Sequence, residues 1–240
     1  IATDEPNLFD YETGIYVAGK VAVDWRSNNT DEWNDGRPAN YNQRGQEWER
    51  PAHIEFFPGN GVPAYAHNIG LRIHGGWSRA HYIKSLRLYA RSAYGTGNTF
   101  EFPFFGNLPA KGDPNQAVES FRRLILRNSG NDFYSTYYRD ALMQDLVKHL
   151  PFETQAYQPV VHFINGEFWG IINMRERYDQ YYIASHYNLD PDDVVIMEAW
   201  GSIDVGTPQD RTLFYDILSY AESNNMALPT HYDWVKQRVD

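Results

Sequence analysis

The chain contains no cysteine among its 240 residues. Disulfide bridges and cysteine-ligated zinc sites are therefore excluded, and so is a cysteine nucleophile. Long apolar runs are also absent, since no stretch approaches the roughly 18 residues that a membrane-spanning helix requires. We therefore expect no membrane span.

Positive charge is scarce as well. The chain has 21 Lys and Arg residues against 31 Asp and Glu residues, which gives a formal net charge of −10. Nucleic acids and anionic membranes attract basic surfaces, so neither is expected as a general partner, although a local basic pocket is compatible with this total. Aromatic residues make up 16% of the chain, which suits a β-rich core and equally suits stacking on sugar rings.

The order of the predicted elements indicates the fold class. Most strands come first, one helix follows, and a hairpin precedes further helices, which predicts an α+β fold with a mainly antiparallel sheet. The strand patterns cover residues 15–17, 52–57, 69–74, 84–91, 99–105, 121–127 and 194–197. The helical patterns cover residues 136–150, 178–187, 210–224 and 232–239, and residues 24–50 read as a long polar loop. In the helix at 136–150, Tyr138, Leu142, Leu146 and Leu150 recur at every fourth position and predict the core-facing stripe.

The segment Val160–Asp179 is the strongest local signal in the sequence. Asn165-Gly166 lies between two runs of β-forming residues, which is typical of a hairpin with a type I′ turn. The second run ends in Arg175-Glu176-Arg177. Taken alone, this pattern fits a core hairpin whose end reaches water, or a hairpin that delivers charge to a pocket.

A second candidate is the turn Gly75-Gly76-Trp77-Ser78-Arg79, which is followed by Lys84. Glycines let backbone N–H groups approach an anion, and Arg and Lys supply charge, so this pattern could bind phosphate or could be an ordinary surface turn. Strand alternation places Lys84 on the apolar face of its strand, while Ser85, Arg87 and Tyr89 share the other face.

Further charges flank the helix at 136–150. Arg139 and Asp140 lie in its first turn, beside the apolar stripe. They could be solvated charges, or Asp140 or Gln144 could orient Lys84, as an ion pair does in phosphoryl-transfer enzymes.

Together these motifs resemble the CotH family, the spore-coat protein H-like atypical kinases. The resemblance runs from about Ile69 to Asn188 and is carried by three successive motifs: GLRIHGGWSR with KSLRLYAR, then LRNSGNDFYSTYYRDALMQDL, then FINGEFWGIINMRERYD. It implies a protein-kinase-like N-lobe over residues 51–176, preceded by an N-terminal segment and long polar loop at 1–50 and followed by part of a helical lobe at 177–240.

The resemblance also implies roles for single residues. Lys84 and Arg139 would be catalytic, and ATP would be bound by Gly75, Gly76, Ser78, Arg79, Lys84, Met174 and Glu176. The implied reaction is transfer of the ATP γ-phosphoryl group to Ser or Thr of a surface or coat protein, with Mg²⁺ or Mn²⁺, outside a bacterial cell or on a spore.

Family members carry a later segment with two aspartates, and this chain ends at Asp240 before any such segment. We therefore expect a fragment that binds nucleotide but transfers little phosphate, since transfer depends on metal held by acidic ligands. Two other functions stay open. One is a non-catalytic surface or carbohydrate-binding module that uses Trp25, Trp33 and Trp48, and the other is a glycosidase with two carboxylates across a cleft.

Overall fold

The structure is a computed structural model that describes residues 1–59 and 61–239. It consists of two compact units, Ile1–Tyr178 and Asp179–Asp240. In the first unit the strands are β1 (Arg50–Phe56), β2 (Tyr65–His74), β3 (Ser85–Ala90), β4 (Phe100–Glu101), β5 (Ser120–Phe121), β6 (Arg123–Arg127), β7 (Tyr157–Ile164) and β8 (Glu167–Glu176). Its helices are α1 (Glu5–Phe9), α2 (Gly19–Asn28) and α3 (Arg139–Val147).

The second unit is smaller and mostly helical. It contains α4 (Gln180–Tyr187), β9 (Ile196–Glu198), β10 (Ser202–Val205), α5 (Arg211–Ser223) and α6 (Pro229–Lys236). The carboxylate of Asp179 caps α4 by accepting hydrogen bonds from the backbone N–H groups of Tyr181 and Tyr182. No helix among the described residues has the length and apolar character needed to cross a membrane.

The first unit is built on a six-stranded antiparallel sheet with the order β1-β2-β3-β6-β8-β7. The sheet is curled, and the N-terminal residues contact both of its edge strands. Ala2 bridges to His53 of β1, and the N–H of Asn165, just after β7, donates to the carbonyl of Ile1 at 2.9 Å. The α+β class with a mainly antiparallel sheet is confirmed.

Strand alternation gives the sheet two chemically different faces. Leu71, Leu88 and Leu124 are paired across β2, β3 and β6 and lie on the buried apolar face. The opposite face carries arginines, because Arg72 pairs with Arg87 across β2 and β3. The apolar face is packed by the N-terminal segment, whose Leu8, Ile15, Tyr16, Ala22, Ala39 and Tyr41 all join the core.

The hairpin at Asn165-Gly166 has the geometry that the sequence predicts. Asn165 has φ 51° and Gly166 has φ 85°, so both central residues are left-handed, as a type I′ turn requires. The turn joins β7 to β8, and β8 runs to Glu176.

Three strand and loop predictions from the sequence are wrong. Residues 15–17 form no strand. The N–H groups of Ile15 and Tyr16 instead donate to the carbonyls of Asn7 and Leu8 in α1, so this segment is hydrogen-bonded to that helix. The predicted loop at 24–50 begins inside a helix, α2, and its later part contributes Ala39 and Tyr41 to the core. The predicted edge strand at 99–105 is reduced to the two residues of β4.

The helix at 136–150 is shorter than predicted, and its buried face is a different one. Asp132 accepts hydrogen bonds from the N–H groups of Thr136 and Arg139, so the turn before α3 is a capping structure rather than helix. The predicted stripe is exposed, with Leu146 57% accessible, whereas Ala141 is buried. The reason is that α3 turns Asp140, rather than its leucines, towards the sheet.

Candidate phosphate-binding site

The conformation of the glycine turn is fixed by specific hydrogen bonds to its neighbours. Gly75 has φ +113°, and a Cβ added there would lie 2.5 Å from Oγ of Ser78, so this position requires glycine. Arg79 is almost fully buried: its Nε donates to the carbonyl of Gly75 at 2.6 Å, and another guanidinium nitrogen donates to the carbonyls of Tyr41 and Gln43 at 3.0 Å each. Arg79 therefore fastens the turn to the segment around Tyr41.

A groove of about 360 Å³ adjoins this turn and is lined by Asp35, Gly36, Pro38, Asn42, Gln43, Arg44, Gly76, Trp77 and Arg79. Burial and then the charge of the neighbouring Arg44 lower the pKa of Arg79 to about 10. Two guanidinium groups thus contribute to one groove, and among the described residues that line it Asp35 is the only carboxylate.

The structure places Lys84 beneath the turn, with its ammonium group buried. Nζ donates to the carbonyls of Arg79 at 2.7 Å and His81 at 2.9 Å, and it lies 4.2 Å from the ring centre of Tyr41. Burial lowers the pKa of Lys84 to about 8. These contacts hold the turn in place, and the charge is stabilised by the cation–π contact with Tyr41 and by the nearby carboxylate of Asp35.

The arginine-bearing face of the sheet is the other polar feature in this region. We define the arginine face by Arg72, Arg87, Arg127 and Arg175, which project from β2, β3, β6 and β8. Within the described residues its carboxylates are Glu49, which pairs with Arg72 at 3.7 Å, and Asp140, which pairs with Arg127 at 3.1 Å and with Arg175. Glu49 pairs more closely with Arg91, at 2.7 Å, so the four guanidinium groups of this face share two carboxylates of which one is already paired elsewhere.

Arg87 lies at the centre of this face. Its guanidinium donates to Nδ1 of His74 at 2.8 Å and to the hydroxyl of Tyr89 at 3.1 Å, while its buried Nε has no hydrogen-bond partner in the described part of the chain. Burial raises the pKa of Tyr89, yet this pKa lies below its ordinary value because Arg87 and Arg72 point at the phenolic oxygen. A buried cation with unused N–H groups is a good donor to an anion.

Helix α3 is joined to the arginine face through Asp140. Burial by itself raises the pKa of Asp140, but Arg175 and Arg127 outweigh this effect and hold the carboxyl below its usual range. Gln144, one turn later, bonds to Asp140 at 3.3 Å and accepts a hydrogen bond from the N–H of Gln155. An acidic residue on a helix thus pairs with basic residues on the sheet, although its partners are Arg127 and Arg175 rather than Lys84.

Ser78, Lys84 and the end of the arginine face are linked by one buried amide. Asn128 follows β6, and its side chain donates to the carbonyl of Ile83 at 2.7 Å and accepts from the hydroxyl of Ser85 at 2.7 Å. It also donates to the carbonyl of Ser78 at 3.4 Å. Gly75, Gly76, Ser78, Arg79 and Lys84 therefore lie together at one end of the sheet.

The remaining predicted site residues lie elsewhere. Arg139 is largely exposed and pairs with Asp132 at 3.4 Å. Met174 faces the apolar side of the sheet, opposite Gln158 and Leu126. The carboxylate of Glu176 is buried and accepts from the N–H of Ala156 at 2.8 Å. Of the three charges that end the hairpin, Arg175 lies on the arginine face, and Arg177 lies near enough to His74 to lower the pKa of that imidazole.

His74, Arg87 and Arg127 belong to the site but were not singled out from the sequence, whereas Arg175 was named there as part of the charged end of the hairpin. The signal was present for Arg87, which alternation places opposite the apolar residues of its strand. A strand with one polar face shows the same alternation of polar and apolar residues whether that polar face is exposed or partly buried. The sequence therefore does not reveal that the arginine face is partly buried.

The described residues contain no group of three or more His, Cys, Asp or Glu side chains that could hold a metal ion. The three tryptophans considered for sugar stacking each have a guanidinium over the ring: Arg26 over Trp33 at 4.4 Å, Arg37 over Trp25 at 5.1 Å and Arg50 over Trp48 at 5.4 Å.

Comparison with known proteins agrees with the motifs. A search of curated proteins finds no match. The family model described as CotH kinase protein matches residues 71–229, about two thirds of the 240-residue chain. The matched region begins within β2 and includes the glycine turn, β3, β6, α3 and the hairpin. The chain therefore belongs to the CotH kinase family.

Proposed function

We propose that this chain binds ATP, with the phosphates held by the arginine face and the adjoining glycine turn. In this proposal the bound ATP is the substrate of a kinase reaction, in which the γ-phosphoryl group is transferred to Ser or Thr of an exported bacterial surface or coat protein. Membership of the CotH kinase family supports the reaction class. The observation that carries the proposal is the excess of guanidinium over carboxylate on a partly buried face, because a polyphosphate supplies the missing negative charge.

The phosphate donors are this chain's own residues. Arg72, Arg87 and Arg127 are half-buried, so part of each side chain is accessible to a ligand. Backbone N–H groups of the Gly75–Arg79 turn are the neutral donors nearest to this end of the sheet. Desolvated guanidinium groups in a fixed fork geometry match phosphate oxygens better than flexible lysines do.

The described carboxylates do not form a site for Mg²⁺ or Mn²⁺. In this proposal the residues of this chain bind and orient the phosphates. When bound, a divalent ion would neutralise charge on the β- and γ-phosphates.

The test is calorimetric titration of the protein with ATP, first without and then with Mg²⁺. Arg87→Gln is expected to weaken ATP binding at least tenfold, because it removes a charged donor at the centre of the face. Lys20→Gln is the matched control, since it removes one positive charge from the exposed surface of α2 and should leave the affinity within twofold. Equal affinities for Arg87→Gln and the wild type would rule out the arginine face.

Lys84 is tested in the same series. Its contacts with the carbonyls of Arg79 and His81 predict that Lys84→Met destabilises the fold and weakens ATP binding through the displaced turn. If instead Lys84 reaches phosphate, as the family resemblance implies, Lys84→Met weakens ATP binding with little loss of stability. Urea unfolding of the same sample separates the two outcomes.

A further inference from the structure

A cavity of about 650 Å³ lies on the apolar side of the curled sheet, between the edge strands β1 and β7. Its lining includes Ile54, Phe56, Leu88, Leu126, Val160 and Met174. Leu88 and Leu126 alternate with Arg87 and Arg127 along their strands, so the cavity and the arginine face are on opposite sides of the same sheet. The cavity is therefore separate from the proposed ATP site, and its volume is typical of a small-molecule site.

One polar side chain stands out in this lining. His162 of β7 is 4% exposed, and neither Nδ1 nor Nε2 has a hydrogen-bond partner within the described residues. A buried polar group without a partner costs about 1–3 kcal/mol, so an apolar residue would serve packing better at this position. Burial lowers the pKa of His162 to about 3, and the neutral ring therefore offers one donor and one acceptor.

The charges around the cavity restrict the ligand. Glu55 is among the lining residues and is exposed, and His53 on the same strand is bonded to Asn68 at 2.7 Å. The terminal ammonium of Ile1, which donates to the carbonyl of Phe163 at 2.9 Å, also lines the cavity, so the rim carries charge of both signs. It is the neutral, buried imidazole inside that disfavours an anionic ligand. A hydroxyl group fits the imidazole, because it donates to one ring nitrogen or accepts from the other.

We propose that this cavity binds an uncharged amphiphile, an alkyl chain or apolar ring system bearing a hydroxyl group that hydrogen-bonds to His162. The apolar portion fills the space between Leu88, Leu126 and Val160, and the hydroxyl satisfies the imidazole. This inference does not depend on ATP binding, which uses the other face of the sheet.

The experiment uses the uncharged fluorescent probe N-phenyl-1-naphthylamine and its displacement by 1-decanol. The probe is expected to brighten with the wild-type protein and to be displaced by 1-decanol, while decanoate competes at least tenfold less well because of its charge. His162→Phe should retain the probe and bind 1-decanol about tenfold more weakly, which corresponds to one hydrogen bond of about 1.4 kcal/mol.

Two further variants test the location. Val160→Trp fills the cavity and should abolish probe binding. Ile171→Trp is the matched control, because Ile171 lies on the neighbouring strand β8 and is exposed on the side of the sheet opposite to the cavity. If Val160→Trp does not fold, ¹⁵N resonances of the His162 ring in the wild type report directly on contact with 1-decanol. Unchanged His162 resonances, equal binding to Val160→Trp, or tighter binding of decanoate would each overturn the proposal.

Discussion

At the scale of single residues, the half-buried His74 and the buried His162 are both held in the neutral form, and burial is the first cause for each. His74 accepts a hydrogen bond at Nδ1 from Arg87, and a guanidinium can only donate, so this nitrogen carries no proton. Burial and then Arg87 lower the pKa of His74 to about 2. Burial and then the terminal ammonium of Ile1 lower the pKa of His162 to about 3.

These shifts predict a loss of stability in mild acid. Both folded-state pKa values lie below the unfolded value near 6.5, so the unfolded chain binds more protons in between. The stabilisation is complete above pH 6.5 and is lost as the pH falls towards 3. Each histidine contributes a slope of up to about 1.4 kcal/mol per pH unit, measured by urea unfolding between pH 6 and 5.

The comparison of two variants isolates this effect. His162→Phe should remove its share of the slope and raise the free energy of unfolding at pH 7, because it eliminates two unpartnered ring nitrogens. His149→Gln, which removes an imidazole at an exposed position after α3, is the control. A slope of His162→Phe equal to that of the wild type would show that this histidine is not held neutral by the fold.

At the scale of elements, sequence patterns succeeded where local chemistry decides the structure. The hairpin was predicted to the residue because Asn165-Gly166 meets the φ requirement of its own turn. For α3 the periodicity was read as a core-facing stripe, yet the helix packs through Asp140 against Arg127 and Arg175. Those arginines are 13 and 35 residues away, and no pattern within the helix shows which face meets them.

This packing predicts that Asp140→Asn destabilises the first unit by about 2 kcal/mol, since charged hydrogen bonds to two arginines are lost and Arg175 is 1% exposed. Urea unfolding with tryptophan fluorescence is the measurement. Asp145→Asn is the control on the same helix: it breaks an exposed pair with Lys148 and should cost at most about 0.5 kcal/mol. Equal costs for the two variants would mean that α3 is not anchored through Asp140.

At the scale of the whole molecule, the α+β class followed from the order of strands and helices, but the curled form of the sheet did not. The first 50 residues have little periodicity, and they nevertheless supply core residues from Leu8 to Tyr41 and contact both sheet edges. Contacts of this kind join residues more than 150 positions apart, as between Thr3 and Asn165. These contacts form only when the sheet is complete, so no local pattern in the sequence predicts them.

The link between Thr3 and Asn165 can be tested without disturbing the hairpin. Asn165→Gly is compatible with the left-handed turn and removes the side chain whose Oδ1 accepts from the N–H of Thr3 at 2.9 Å. We expect a loss of about 1 kcal/mol and faster hydrogen exchange at Thr3, with unchanged protection within β7 and β8. Asn165→Ala loses the same bond and also places a Cβ at φ 51°, which adds about 1–2 kcal/mol of strain. If Asn165→Gly were as unstable as Asn165→Ala, or if its Thr3 amide stayed protected, the side chain of Asn165 would not be what ties the N-terminal segment to the far edge of the sheet.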